Sequence, residues 1–290
     1  QDPDVLAAEA EATGFPILVK ASAGGGGRGI RIANEPREFA EALKSATDEA
    51  RLAFGDDRVI VERYITRPRH VEVQIVGDTH GNVVHLGTRE CSVQRRYQKL
   101  LEEAPAPNLP DATRHGLCDA AVALASSMSY DSAGTVEYVV DDNNGDFFFL
   151  EMNTRLQVEH PVTEEVTGLD LVELMIRSAQ GDRLPIEQAD VTFTGHAFEA
   201  RITAEDASQG FRPDTGTVHQ VCVPSSVRWE SAVESGSAVS PHYDPMIAKL
   251  IVGGSDRETA LAALRTALDQ LLIGGVVTNA PLHRWLVDAT

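Results

Sequence analysis

Apolar and polar positions along the chain repeat with two periods, one helical and one alternating. Val5, Leu6, Ala7, Ala8 and Ala10 read as the tail of a helix already under way. Residues 15–20 form a short apolar run ending in Lys20, which predicts a strand. Phe39, Leu43, Ala46 and Ala50 then fall on one helical face, with Asn34 as the candidate cap and Gly55 as the stop. Strands are predicted over 58–65, 70–76 and 83–86, with a turn at 78–82. An Ala-rich helix covers 112–128, and 135–140 pairs with 147–152 as a hairpin around Asp141-Asp142-Asn143-Asn144-Gly145. A helix runs from Asp170 to about Gly181. Beyond a boundary at 185–190, alternation over 196–203, 217–223 and 227–233 predicts antiparallel strands. The last helix opens on the capping box Ser255-x-x-Glu258 and buries Leu261, Leu264, Leu268 and Leu271.

These elements make an α+β chain of 290 residues, long enough for two or three packed subdomains. Its longest apolar runs, such as Phe147-Phe148-Phe149-Leu150, are too short to cross a bilayer, so no membrane is expected as a partner. The net charge of −19 repels phosphate backbones and argues against nucleic acid. Any nucleotide site must therefore gather its cations locally. Cys91, Cys118 and Cys222 are odd in number and far apart, which excludes a disulfide framework or zinc cluster and suits a reducing compartment such as the cytoplasm. The chain begins with Gln1, not Met, and reads as a piece of a longer one.

Five polar segments carry candidate chemistry. The first is Lys20, the run Gly24-Gly25-Gly26-Gly27, and Arg28. Glycines admit phosphate oxygens to backbone N–H groups, and Lys20 adds a point charge. A flexible turn would use the same glycines, but two cations flanking them in so acidic a chain favour phosphate. No Gly-Lys-Ser/Thr follows, so this is not a P-loop. The second is Glu137 and Glu151, one in each hairpin strand, with Asn153 two positions on. Neighbouring carboxylates suit Mg²⁺ shared with nucleotide phosphates, although a solvated sheet face looks alike. The third is the row Glu151, Asn153, Arg155, Gln157 and Glu159, which extended backbone would align on one side. An amphipathic edge strand alternates in the same way; the order Glu-Arg-Glu is hard to explain as solubility. The fourth is the cationic segment Cys91 to Lys99, read as a loop facing a substrate. The fifth is Glu199 and Arg201 on one strand face, for which a structural ion pair is the plain reading.

Taken together and in order, these segments resemble the biotin carboxylases of biotin-dependent acyl-CoA carboxylases. The likeness is carried by Lys20-Ala21-Ser22 with its glycines, Pro68-Arg69-His70-Val71-Glu72, Gln94-Arg95-Arg96 and Glu102-Glu103-Ala104-Pro105. It continues through Glu151-Met152-Asn153-Thr154-Arg155, Gln157-Val158-Glu159-His160-Pro161-Val162-Thr163, Arg201-Ile202-x-Ala204-Glu205-Asp206 and Tyr243-Asp244-Pro245-Met246-Ile247. The fold this implies is ATP-grasp, two α+β lobes with antiparallel sheets, followed by the family's C-terminal subdomain. The implied division is a lid lobe over 1–64, a core lobe over 65–190 and the C-terminal subdomain over 191–290. The family's N-terminal Rossmann-like subdomain has no counterpart in these residues.

The same resemblance implies roles. Lys20, Gly26, Gly27, His70, Gln94 and Tyr97 match ATP-contacting positions, Tyr97 standing where the family often has His. Glu62 and Ile65 match the hinge beside the adenine. Glu137 and Glu151 match ligands of Mg²⁺ or Mn²⁺ at the nucleotide, with Asn153 as a third. Lys99, Arg155, Gln157 and Val158 match the bicarbonate and biotin site, Glu159 the general base and Arg201 the residue at the biotin ureido group. The implied reaction is ATP-dependent carboxylation of biotin by bicarbonate, the first step of an enzyme such as acetyl-CoA carboxylase in fatty acid biosynthesis. No Met-Lys-Met attachment motif occurs, so biotin is expected on a carrier protein, with a carboxyltransferase as a further partner and a homodimer as the family's common state. The rivals are another ATP-grasp ligase, of carbamoyl-phosphate or carboxylate–amine type, and a truncated nucleotide-binding module without activity.

Overall fold

The computed structural model describes residues 1–23 and 30–289. They form two compact units. Residues 1–68, with 95–98 and 141–143, make the first. Its elements are α1 (Pro3–Thr13), β1 (Ile17–Ala21), β2 (Ile30–Ala33), α2 (Pro36–Phe54) and β3 (Val59–Arg63). The strands form an antiparallel sheet in the order β2-β1-β3. Ile17 and Val19 alternate onto the face that buries Phe39, Leu43 and Ala46 of α2 and Leu6 and Ala10 of α1. Two expected helix starts are corrected. Asp2 caps α1 by accepting from the Asp4 N–H at 2.9 Å, so α1 has its own N-terminus here and is not a helix tail. Glu35, not Asn34, is the N-cap of α2; Asn34 instead donates its backbone N–H to Glu38. Gly55 closes α2 in left-handed backbone (φ 70°), where a missing Cβ costs nothing.

The second unit holds the rest of the chain. Its centre is an eight-stranded sheet of β4 (Pro68–Gly77), β5 (Val83–Arg95), β6 (Gln98–Ala104), β7 (Ser132–Asp141), β8 (Phe147–Asn153), β9 (His196–Thr203) and the strands Arg228–Ser231 and Met246–Gly254. Starting from Arg228–Ser231, the order is Met246–Gly254, β9, β6, β5, β4, β7, β8. Helices α3 (Asp111–Ser127), α4 (His160–Thr167), α5 (Leu171–Ala179), α6 (Arg257–Gln270) and α7 (Ala280–Ala289) complete it. Residues on both sides of the expected 185–190 boundary thus share one sheet.

Strand alternation separates two faces of this sheet. Val71, Val73 and Ile75 of β4 join Val136, Tyr138 and Val140 of β7 in a core with Leu117, Ala121 and Ala125 of α3. The intervening His70, Glu72 and Gln74 must point the other way. On β9, Phe198, Ala200 and Ile202 pack with Leu264 and Leu268 of α6, while Ala197 packs with Val162 and Val166 of α4. Glu199 and Arg201 share the α4 side. The cap of α6 is Asp256, whose carboxylate accepts from the Thr259 N–H at 2.8 Å, and not the expected Ser255. The cationic segment is also not a loop. β5 runs through Arg95, and Arg96 and Tyr97, both at positive φ, form a two-residue hairpin turn into β6.

Candidate active site

The polar face of the sheet carries a continuous network of charged groups. Glu72 on β4 stands opposite Arg89 on β5 in register, and Arg89 Nε donates to Glu72 Oε1 at 2.5 Å. Both side chains are fully buried. The guanidinium also donates to Gln74, Thr163, Thr135 and Gln157, so all three of its nitrogens are engaged. Lys99 near the start of β6 places its ammonium among three carboxylates: Glu72 at 2.6 Å, Glu159 at 2.5 Å and Glu137 at 3.1 Å. Burial alone would push the Glu72 carboxyl up, but Arg89 and Lys99 outweigh it and hold it at about 2. Burial opposes the charge on Lys99 as well; Glu72 and the other surrounding carboxylates raise its pKa instead.

Glu137 and Glu151 are direct cross-strand neighbours in the β7–β8 hairpin, beside a bulge. The Asn153 amide nitrogen donates to both, to Glu137 Oε1 at 3.0 Å and Glu151 Oε1 at 3.3 Å. One atom can therefore sit between the two carboxylates. This donor set of two carboxylates and an amide is hard and oxygen-rich, which fits Mg²⁺ or Mn²⁺ beside phosphates. Glu137 is further held by Gln157 Nε2 at 2.7 Å and His70 Nε2 at 2.9 Å. The Gln94 amide donates to His70 Nδ1 at 2.8 Å, which leaves the ring proton on Nε2, close to Glu137 but without hydrogen-bond geometry. Burial raises the Glu137 carboxyl, but His70 and Lys99 bring it down to about 2.

Glu159 links this cluster to β9. It is the N-cap of α4, buried, with one oxygen on Lys99 and the other accepting from Arg201 NH2 at 2.9 Å. Arg201 Nε donates to Glu102 Oε1 at 2.5 Å. The backbone beneath Arg201 is clamped from the chain's last helical segment. Asn279 Nδ2 and His283 Nε2 each reach the Arg201 carbonyl at 2.9 Å, and Asn279 Oδ1 accepts from the Thr203 N–H. A base thus stands between two cations, on a face that could seat a small oxyanion.

The expected row from Glu151 to Glu159 converges, but not as extended backbone. β8 ends at Asn153, and the chain then turns into α4. Glu151 and Arg155 are exposed, while Gln157 and Glu159 are buried. Arg155 donates to Asn153 Oδ1 at 3.2 Å. Val158 contributes its carbonyl, which accepts from Lys249 Nζ at 2.8 Å. The expected Glu199–Arg201 ion pair is not formed: Arg201 turns to Glu102 and Glu159, and both Glu199 oxygens lack a hydrogen-bond partner. Tyr97 is 70% exposed at its turn. In the first unit, Lys20 and Glu62 pair at 2.7 Å, and Ile65 is half-buried between β3 and β4. Gly26, Gly27 and Arg28 lie outside the described residues.

Sequence reasoning did not assign Glu72, Arg89, Glu102, Lys249, Asn279 or His283 to the site. Glu72 and Glu102 stood inside quoted motifs; strand alternation puts Glu72 on the face of His70, but Glu102 is three positions from Lys99 and gave no such signal. Asn279 and His283 gave no local signal, because they act on Arg201 from across the fold.

The family described as "Carbamoyl-phosphate synthase L chain, ATP binding domain" matches residues 1–187, and "Biotin carboxylase C-terminal domain" matches residues 199–290. The mitochondrial methylcrotonoyl-CoA carboxylase subunit alpha of Oryza sativa subsp. japonica is 54% identical over 96% of the chain, which spans 38% of that relative. Biotin carboxylase 2, chloroplastic, of Populus trichocarpa is 49% identical over 95% of the chain, which spans 52% of it. The Hydrogenobacter thermophilus 2-oxoglutarate carboxylase biotin carboxylase domain is a dimer in complex with MgADP, ADP and bicarbonate. It superposes with a TM-score of 0.88 at 44% identity, covering 99% of this chain and 64% of that one. Neither curated name is cytoplasmic. Among the described residues, no helix is long and apolar enough to cross a membrane.

Proposed function

The chain belongs to the biotin carboxylase family of ATP-grasp ligases, and from that premise we propose that it carboxylates carrier-bound biotin with bicarbonate at the expense of ATP. The reading rests on one observation above all: Glu159 is a buried base held between Lys99 and Arg201. An anion that carries an acidic proton fits there, with its charge met by cations and its proton beside a carboxylate. Arg155 is the exposed cation that would close over it.

In this proposal Glu159 takes the bicarbonate proton while Lys99 and Arg155 hold the anion. A bicarbonate oxygen then bonds to the γ-phosphorus, the bond to ADP breaks, and carboxyphosphate results. The in-line displacement needs little from the protein beyond position and charge. Mg²⁺ or Mn²⁺ on Glu137, Glu151 and Asn153 would supply charge neutralisation for the phosphates when bound. Carboxyphosphate separates into CO₂ and phosphate, and the phosphate takes the N1′ proton of biotin as N1′ attacks CO₂. Arg201 meets the negative charge that develops on the ureido oxygen; a donor of that kind contributes about 3–4 kcal/mol. A carrier protein would present the biotin and a carboxyltransferase would consume the product. The final acceptor belongs to that partner, and a homodimer is the expected assembly.

The test is bicarbonate-dependent ATP cleavage by the polypeptide that contains these residues, with and without free biotin. Stimulation by biotin, lost on replacing Arg201 while nucleotide binding persists, is expected. Steady turnover indifferent to biotin would assign the chain to another ATP-grasp ligase class.

A further inference from the structure

Behind Arg201, two buried carboxylates stand opposite one another on neighbouring strands. Glu102 on β6 and Glu199 on β9 are opposite one another in register, and both are fully buried. Glu102 Oε1 accepts from Arg201, but Glu102 Oε2 and both oxygens of Glu199 have no hydrogen-bond partner. Directly opposed side chains start only about 5 Å apart at Cβ, which brings the two buried carboxyl groups near one another. Among the described residues, Lys249 is the cation that forms an ion pair with Glu199, at a distance of 4.0 Å. Lys249 is already committed to Glu230 at 2.7 Å and to the Val158 carbonyl at 2.8 Å.

We infer that Glu102 and Glu199 hold one proton between them, and that this proton keeps Arg201 from being neutralised by the acids around it. A shared proton turns lone acceptors into a donor and an acceptor, which is the cheapest way to satisfy buried carboxylates. The groups around the pair come from several elements. β6 supplies Lys99 beside Glu102, β5 supplies the buried Cys91, the strand Met246–Gly254 supplies Lys249, and the start of α4 supplies Glu159 and His160. From α7 comes His283, on the Arg201 carbonyl, and the Arg257 guanidinium at the start of α6 is taken by Glu103. With both acids ionised, Arg201 would face three carboxylates: Glu102, Glu159 and Glu199. With the proton in place it faces two, and Glu159 itself becomes neutral once it has taken the bicarbonate proton. Burial raises both acids, Glu102 to about 7 and Glu199 well above the ordinary range, in keeping with the geometry. Glu199 is thus a positioning residue that acts through Glu102 on the charge of Arg201. The consequence for catalysis rests on the assignment of Arg201 to the biotin ureido group; the proton itself does not.

Infrared difference spectra of the protein at neutral pH, in H₂O and D₂O, read the proton directly. The wild type should show a hydrogen-bonded carboxylic-acid carbonyl band that is lost or shifted in Glu199→Gln and in Glu102→Gln. A band set unchanged in both variants would overturn the shared proton. The second reading is the pH profile of biotin-dependent turnover. Gln cannot ionise, so in Glu199→Gln the alkaline fall should move upward by at least about one pH unit. An identical alkaline limb in wild type and variant would overturn the effect on Arg201. Loss of the band with no biotin dependence in any form would uphold the proton and reject the carboxylase reading, so the two fail separately.

Discussion

Arg201 donates to Glu159 Oε2 at 2.9 Å across 42 residues of sequence. The contact couples the strand that is proposed to meet biotin to the residue proposed to deprotonate bicarbonate. Glu159→Gln keeps the shape and an acceptor for Arg201 but cannot take a proton. Bicarbonate-dependent ATP cleavage should fall by about 10²–10⁴-fold, the usual contribution of a general base. Calorimetry should find MgATP affinity close to wild type. Ordinary turnover in the variant would remove Glu159 as the base.

Arg89 makes a prediction about stability. Its guanidinium is fully buried and joins Glu72, Gln74, Thr135, Gln157 and Thr163. Arg89→Met leaves those groups without their shared donor, and removing one partner of a buried pair costs about 3–5 kcal/mol. Urea unfolding should show that loss, and the double variant Arg89→Met/Glu72→Leu should be less unstable than the sum of the two single changes. Additive losses would mean that the pair is not coupled.

Arg89 also marks the limit of what the sequence made legible. Alternation gave the strands, because β4 sends Val71, Val73 and Ile75 to α3 at a strict period of two. The expected strand at 83–86 stopped short of Arg89, since Thr88, Arg89 and Glu90 look like solvated surface. In the fold they are buried, because both faces of the sheet are covered. The side chains from Glu151 to Glu159 are brought together, but not by the extended backbone that their alternation suggests. Extended backbone ends at Asn153, and Gln157 and Glu159 reach Glu137 and Lys99 because α4 begins there. The clamp of Asn279 and His283 on Arg201 joins residues 78 and 82 positions apart, which no local period encodes.

The start of α6 offers a local test. Ser255 and Asp256 are both good capping types, and the capping-box spacing points to Ser255. The structure instead gives the N–H of Thr259 to Asp256 Oδ1 at 2.8 Å, while Ser255 Oγ donates to Asp256 Oδ2. Asp256→Ala should cost about 1 kcal/mol and Ser255→Ala only a few tenths, read from denaturant midpoints. The reverse order would restore Ser255 as the cap.

His283 predicts a pH dependence that opposes that of Glu199. It is fully buried, and its Nε2 proton points at the Arg201 carbonyl, while Nδ1 has no partner. A second proton on Nδ1 would be buried with nothing to accept it, and burial lowers the pKa from 6.5 to about 4. The folded pKa lies below the unfolded one, so the unfolded chain binds more protons between them. The stability this group contributes is complete above about pH 6.5 and is lost as pH falls toward about 4. Between pH 7 and pH 5 the loss amounts to about 2 kcal/mol. Glu199 and Glu102 act with the other sign: their raised pKa values make the fold gain on acidification, so the wild-type curve mixes both. Subtraction isolates the histidine. His283→Gln can still donate to the Arg201 carbonyl and cannot titrate. The wild-type minus variant difference in unfolding free energy should therefore shrink by about 2 kcal/mol from pH 7 to pH 5. Parallel curves across that range would show that His283 is charged in the fold or reached by water.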